Sequence, residues 1–377
     1  MVKKVLIILI SIALFMAFSC EAFAKEEIIL DEYEDFYESL PDDIKELLPK
    51  ELFADSVEEM GQAAEKMTSW EYIWDFIFEL LGVNFKKSFK ALSSLVAALI
   101  LSSILNAIFK TLKNDAVSSA LKLISGMIMV LVVMNLTREP LEDAVLLLDR
   151  IKLYVNTSSP ILVAMLAMGG NASSALVQNY GMIVFLTVFE NVCILALEMI
   201  LGVCTSLTLA SRFISDGGLI SISSAIKKAF TFFVGFIMLI FTTVISTQNI
   251  LSSKADTLGA KAAKMVATQI IPVVGGTIGE TLRTAGASIE YLRSSVGVVL
   301  VVVLLVIVMP TIISIFLYRT SFIISNALAG LLGCNREGAL LVEMSSIYGY
   351  ALAILSISSV VLLFLITLFA KTVSPLS

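Results

Sequence analysis

Glu190, Asn191 and Glu198 interrupt an otherwise apolar stretch that runs roughly from 174 to 203. An ionised side chain at depth in a bilayer costs at least ~2.5 kcal/mol, so each of these groups must face protein, water or a partner. Asn191 and Glu198 are seven residues apart, which puts them on one face of a helix. Two uses fit that pattern: an ion or proton pathway, or hydrogen bonding between helices or subunits. Other chemistry is scarce. The chain contains no histidine, which excludes a Ser-His-Asp triad, a His-assisted cysteine nucleophile and an H-E-x-x-H zinc site. It has no G-x-x-x-x-G-K-[ST] loop, so ATP hydrolysis by this chain alone is not expected. Gly275-Gly276-Thr277-Ile278-Gly279 lacks the lysine and the preceding strand pattern of a phosphate loop. Close helix packing through small residues explains that run better. Cys193, Cys204 and Cys334 lie in or beside apolar segments and read as small buried hydrophobes. With no nucleophile–base pair in view, no catalytic, cofactor or metal residue is assigned, and an enzyme is not expected.

The elements that hold these residues are set by where charge sits relative to apolar sequence. Residues 25–85 carry 18 acidic and 4 basic side chains, whereas residues 86–377 carry 13 and 20. The chain is 58% hydrophobic, with a mean hydropathy of +0.94, too apolar for a soluble domain of this size. Val296–Tyr318 and Met344–Ala370 contain no charged residue. At 1.5 Å per residue each crosses a ~30 Å hydrocarbon core as a helix. The expected fold is all-α: a polytopic helical membrane protein of about six transmembrane helices, with amphipathic or re-entrant segments, after a small exported helical segment. No basic, aromatic-interleaved stretch suggests nucleic acid.

Met1–Ala24 reads as a signal peptide. Lys3 and Lys4 precede the apolar Val5–Phe18, and Ala22-Phe23-Ala24 fits a small-x-small cleavage site. Residues 25–85 then form an acidic exported segment of short amphipathic helices. Ile29, Tyr33, Phe36, Tyr37 and Leu40 recur at helical spacing, and Pro41 and Pro49 end successive pieces. The aromatic Thr68–Leu81 suits either the headgroup zone or a packed helix of the exported segment. The membrane domain, 86–377, has spans near 91–109, 123–137, 174–203, 229–249, 296–318 and 345–370. Leu141–Val155 is amphipathic. Pro160–Met168 is apolar but about half the length of a span, which fits a re-entrant or interfacial segment ended by Gly169-Gly170. Thr257–Arg293 is similar, bent at Pro272 and Gly275-Gly276. Pro160, Pro272, Gly275, Gly276, Gly279 and Pro310 are the candidate hinge and packing residues. Ser159-Pro160-Ile161-Leu162 and Ile271-Pro272-Val273-Val274 each precede a glycine pair, a span, a polar bend (Ile214-Ser215-Asp216 and Ile324-Ser325-Asn326) and a second span. This suggests a duplication, 155–250 against 268–370, and paired short apolar elements can point to a transport site.

Taken together, these parts resemble the stage III sporulation protein AE family of endospore-forming bacteria. The likeness rests on the leader, on Leu40-Pro41 and Leu48-Pro49, and on Ser159-Pro160-Ile161-Leu162 with its glycine pair. It is most specific from Ser253-Lys254-Ala255-Asp256 through Ala260-Lys261-Ala262-Ala263-Lys264 to Ile271-Pro272-Val273-Val274-Gly275. The resemblance implies a subunit of a multi-component complex made in the mother cell and placed in the membrane around the forespore. It implies ring-forming subunits and a separate ATPase as partners beside the lipid bilayer, a secretion or feeding role, and no catalytic residues. The alternative is a stand-alone secondary transporter, which the duplication and Glu190/Glu198 would suit. If residues 25–85 are exported, a Ser39→Cys reporter will react with an impermeant thiol reagent in intact, suitably exposed cells. Labelling only after membrane disruption would reject that orientation.

Overall fold

The computed structural model describes residues 33–46, 48, 52, 59, 62–63, 66–67, 69–111, 115–168, 172–213, 218–237, 239–240, 243 and 275–371. Every long element among them is a helix. Six of these helices are long and apolar enough to cross a membrane, as expected of an all-α polytopic protein. Pro272, the 257–274 stretch and the glycine pair Gly169-Gly170 lie outside the described residues.

Two short helices come first: α1, residues 33–39, and α2, Asp42–Lys45. Pro41 separates them, and the amides of Ile44 and Lys45 bond back to its carbonyl. Tyr33, Phe36, Leu40 and Ile44 are buried, the three-and-four spacing that gives a short helix one apolar stripe. The stripe docks on the helical bundle. Phe36 meets Tyr154 edge-on at 5.6 Å between ring centroids, and Arg150 pairs with Asp43 at 2.6 Å. Burial, and then the neighbouring Tyr154, push the Tyr33 phenol well above its ordinary value.

The long rods follow: α3 (Trp70–Thr111), α4 (Asp115–Met168), α5 (Ala172–Glu198), α6 (Thr205–Ala210), α7 (Gly218–Ile237), α8 (Gly275–Leu331) and α9 (Asn335–Lys371). A π-helical stretch, Met199–Cys204, joins α5 to α6. Several segments expected to be separate are continuous. The aromatic segment from Trp70 runs straight into the first span because no proline lies between Trp70 and Thr111. Leu123–Thr137, Leu141–Val155 and Pro160–Met168 are parts of the single 54-residue α4. Pro160–Met168 is therefore the tail of a long helix and not a separate re-entrant element. Pro140 and Pro160 each remove one ladder bond. The helix persists across them because its buried side, including Ala144, Leu147, Ile151, Tyr154 and Ile161, is held by tertiary packing. In the 57-residue α8, Gly275, Gly276 and Gly279 lie in the opening turns and Pro310 lies inside. Ile324-Ser325-Asn326 is helical in α8 and not the expected bend.

The chain reverses instead at Gly333, whose φ of 69° is the left-handed conformation that glycine adopts without a Cβ clash. The Cys334 amide bonds to the Ala329 carbonyl at 2.9 Å and the Gly333 amide to that of Gly330 at 3.3 Å. That pair of bonds is a Schellman ending. Past the turn, a Cβ on Gly338 would lie 3.0 Å from Asn326 Oδ1, so α8 and α9 approach closely there.

Hydrogen bonds fix the relative directions. Ser321 donates to the Ser88 carbonyl at 3.1 Å and Ser103 to that of Leu332 at 3.0 Å, so α3 and α8 run parallel. Ser125 reaches Glu337 and Tyr348 reaches the Thr137 carbonyl, so α4 and α9 run parallel in the other direction. Tyr154 donates to the Leu300 carbonyl at 2.7 Å. The docking point of α1 therefore lies at the end of the bundle opposite the Gly333 turn. Phe36 is 1% exposed, and truncating a buried Phe costs about 3–5 kcal/mol. Phe36→Ala will make residues 40–50 much more sensitive to limited proteolysis while the spans stay protected. Arg150→Ala, which loses a partly exposed ion pair worth about 1 kcal/mol or less, will change the digestion pattern little.

Candidate functional site

Polar groups inside an apolar bundle are where such a chain can do something beyond filling space, and three sets occur among the described residues. The first lies behind the Gly333 turn. Glu337 is in the first turn of α9, where a helix N-terminus favours a negative charge. Its side chain is buried, at 7% exposure. Oε1 accepts hydrogen bonds from Ser125 of α4 at 2.9 Å and Ser102 of α3 at 3.1 Å. The two serine hydroxyls also contact each other. One carboxylate thus ties three helices together.

The second set is an ion pair. Lys227 of α7 is 4% exposed. Its ammonium donates to Glu343 Oε2 at 2.9 Å and to Ser346 Oγ at 3.2 Å, both on α9. The ring of Tyr350 lies 5.8 Å from it. Arg212, just past α6, donates to the Arg336 carbonyl. Burial, and then the charge of Arg336, lower the guanidinium from its ordinary value, with Glu337 and Glu343 opposing. Lys227, Glu343, Arg212, Arg336 and Glu337 thus put five charged side chains around the start of α9.

The third set is Glu190. The buried stripe of α5 runs Leu186, Phe189, Glu190, Cys193, Ala196, Leu197, so the carboxyl sits in the seam between helices. Ser358 of α9 donates to its Oε1 at 2.7 Å, and Oε2 has no hydrogen-bond partner among the described residues.

The residues singled out from sequence therefore divide. Asn191 and Glu198 do share one face, and it is the exposed one. Asn191 accepts from Lys152 at 3.2 Å and donates to the Thr187 carbonyl at 2.8 Å. Glu190 points the other way and does not join them. Pro160 is exposed near the end of α4, and Pro310 is half-buried within α8. Neither is brought to the polar sets. Sequence reasoning missed Lys227, which stands beside Lys228 in the sequence. The structure separates the pair: Lys227 is buried and Lys228 exposed. A signal was present in Ser223, which lies four residues before Lys227 and shares its buried face. Glu343, one residue before the charge-free Met344–Ala370, is the counter-ion. No described group of three or more Cys, Asp or Glu is arranged to hold a metal ion. What the arrangement can do chemically is hold charge and protons at fixed places between helices.

A family model, Stage III sporulation protein AE, matches residues 53–372. The chain belongs to the stage III sporulation protein AE family. The match takes in all three polar sets and every candidate span, and leaves α1 and α2 outside it. No curated protein and no solved structure matches the chain. For this member of the family, the ion pair makes a direct test. Breaking a buried pair from one side typically costs about 3–5 kcal/mol, whereas replacing both partners by apolar groups is often neutral. Lys227→Met and Glu343→Leu will each lower the melting temperature of the purified protein, and the double variant will recover most of the loss. Additive losses would show that the two side chains do not depend on each other.

Proposed function

We propose that this protein is a non-enzymatic integral membrane subunit of a specialised secretion or feeding complex between mother cell and forespore, required for endospore development. The observation that carries the reading is the family match over residues 53–372, which supports a role in sporulation. Six helices able to cross a membrane support a multi-pass protein. In this reading it resides in the mother-cell membrane surrounding the forespore, with residues 25–85 on the exported side. Its partners in this reading are those the family resemblance implies, ring-forming subunits and a separate ATPase; the sequence has no nucleotide-binding loop of its own. The buried polar residues fit a subunit of this kind. Glu337, Lys227 and Glu343 join helices to one another, which fixes a scaffold.

A stand-alone secondary transporter is the second reading, and Glu190 is the observation that favours it. One set of experiments separates the two. Deleting the gene will block endospore development, and gentle extraction will recover the protein with other sporulation membrane proteins. The purified protein will show no ATPase activity. Robust solute exchange by the protein alone in liposomes would overturn the subunit reading in favour of the transporter.

A further inference from the structure

Glu190 is 1% exposed and lies in the contact between α5 and α9. A buried carboxylate survives as an anion only with a counter-charge or a full set of donors. Among the described residues the surroundings supply neither. On α9, the charge-free Met344–Ala370 offers Ser358 alone, and the tyrosines nearest in sequence are engaged elsewhere. Tyr348 donates to the Thr137 carbonyl and Tyr350 lies beside Lys227. On α8, Val296–Tyr318 carries no charge. On α4, Lys152 is bonded to Asn191 on the exposed side of α5, Asp149 is exposed, and Tyr154 donates to Leu300. On α5 itself, Cys193 is one turn away and buried, and Glu198 faces outward. No described cation is hydrogen-bonded or ion-paired to Glu190, and Oε2 has no hydrogen-bond donor among the described residues.

We propose that Glu190 is a proton-binding site: its carboxyl is held neutral in the α5–α9 seam, and it exchanges that proton with the medium. A neutral acid lets the apolar stripes of the two helices close, with Ser358 donating to Oε1. Loss of the proton leaves a bare charge between them and loosens the contact. The helix pair is thereby made sensitive to proton activity at one atom, whichever larger assembly the chain serves.

The linkage has a definite sign. The folded chain keeps a proton that the unfolded chain releases, so raising pH must weaken folding. Glutamine has nearly the same shape and cannot ionise. The melting temperatures of full-length wild type and Glu190→Gln in detergent will lie nearest each other at about pH 4, where glutamate is largely protonated in both states, and the variant will melt increasingly above wild type as pH rises, until Glu190 ionises in the fold and the gap levels off. A gap that does not change with pH, whatever its sign, overturns the proposal. Exchange is read separately with a hydrophobic carbodiimide. The carboxyl proton adds to one nitrogen of the reagent and the carboxyl oxygen to its central carbon; acyl migration then gives a stable N-acylurea with no leaving group. Mass spectrometry of the folded protein will find this adduct on Glu190 at pH 6 and much less of it at pH 8.5. Absence of the adduct at pH 6, with the same site labelled after unfolding, overturns the exchange, as does labelling that is indifferent to pH.

Discussion

A peptide group without a hydrogen-bond partner in hydrocarbon costs several kcal/mol, and an apolar chain that crosses a bilayer without forming a barrel meets that cost by closing its backbone into helices. The long rods from Trp70 to Thr111, Asp115 to Met168 and Gly275 to Leu331 follow from this constraint. It also decides where the chain is allowed to turn. The reversal between α8 and α9 satisfies its last carbonyls through the amides of Gly333 and Cys334, so two helices are joined with few groups left bare. Proline is tolerated within α4 and α8 because the broken ladder bonds are local and the flanking turns are held by their neighbours.

Once the backbone is closed, side chains carry the remaining polarity, and the same penalty governs them. Glu337 is met by two serines and Lys227 by Glu343 and Ser346. Each set joins helices that are distant in the chain. These bonds say more about which helices must meet than about net stability, since desolvating both partners offsets much of their attraction. Glu190 departs from the pattern: among the described residues it has one serine and no counter-ion. Incompletely satisfied groups of this kind are where function, and not packing, most often explains a residue.

The all-α class and the six described helices long and apolar enough to cross a membrane were legible because the apolar runs are long and the charge between them sparse. The family was legible from short motifs such as Ile271-Pro272-Val273-Val274-Gly275. Helix extent was not, because Pro140, Pro160 and the polar Ile324-Ser325-Asn326 are local stop signals that tertiary packing overrides. The site was legible by half. A glutamate in an apolar run is conspicuous, so Glu190 stood out, while its partner Ser358 is 168 residues away and no local pattern announces it. Lys227 was hidden by its neighbour, since two adjacent lysines look alike until the helix faces are assigned.

The length of α4 and α8 has a mechanical consequence. At 54 and 57 residues they are rods of about 80–85 Å at 1.5 Å per residue, against a hydrocarbon core of about 30 Å. Such a rod is a lever with its fulcrum in the lipid. A tilt of about 5° carries a tip about 60 Å from the fulcrum sideways by about 5 Å, close to the pitch of one helical turn. Small rearrangements among the spans would therefore arrive at the rod tips magnified, and the joints at Pro140, Pro160 and Pro310 set how much of that swing is transmitted and how much is absorbed on the way.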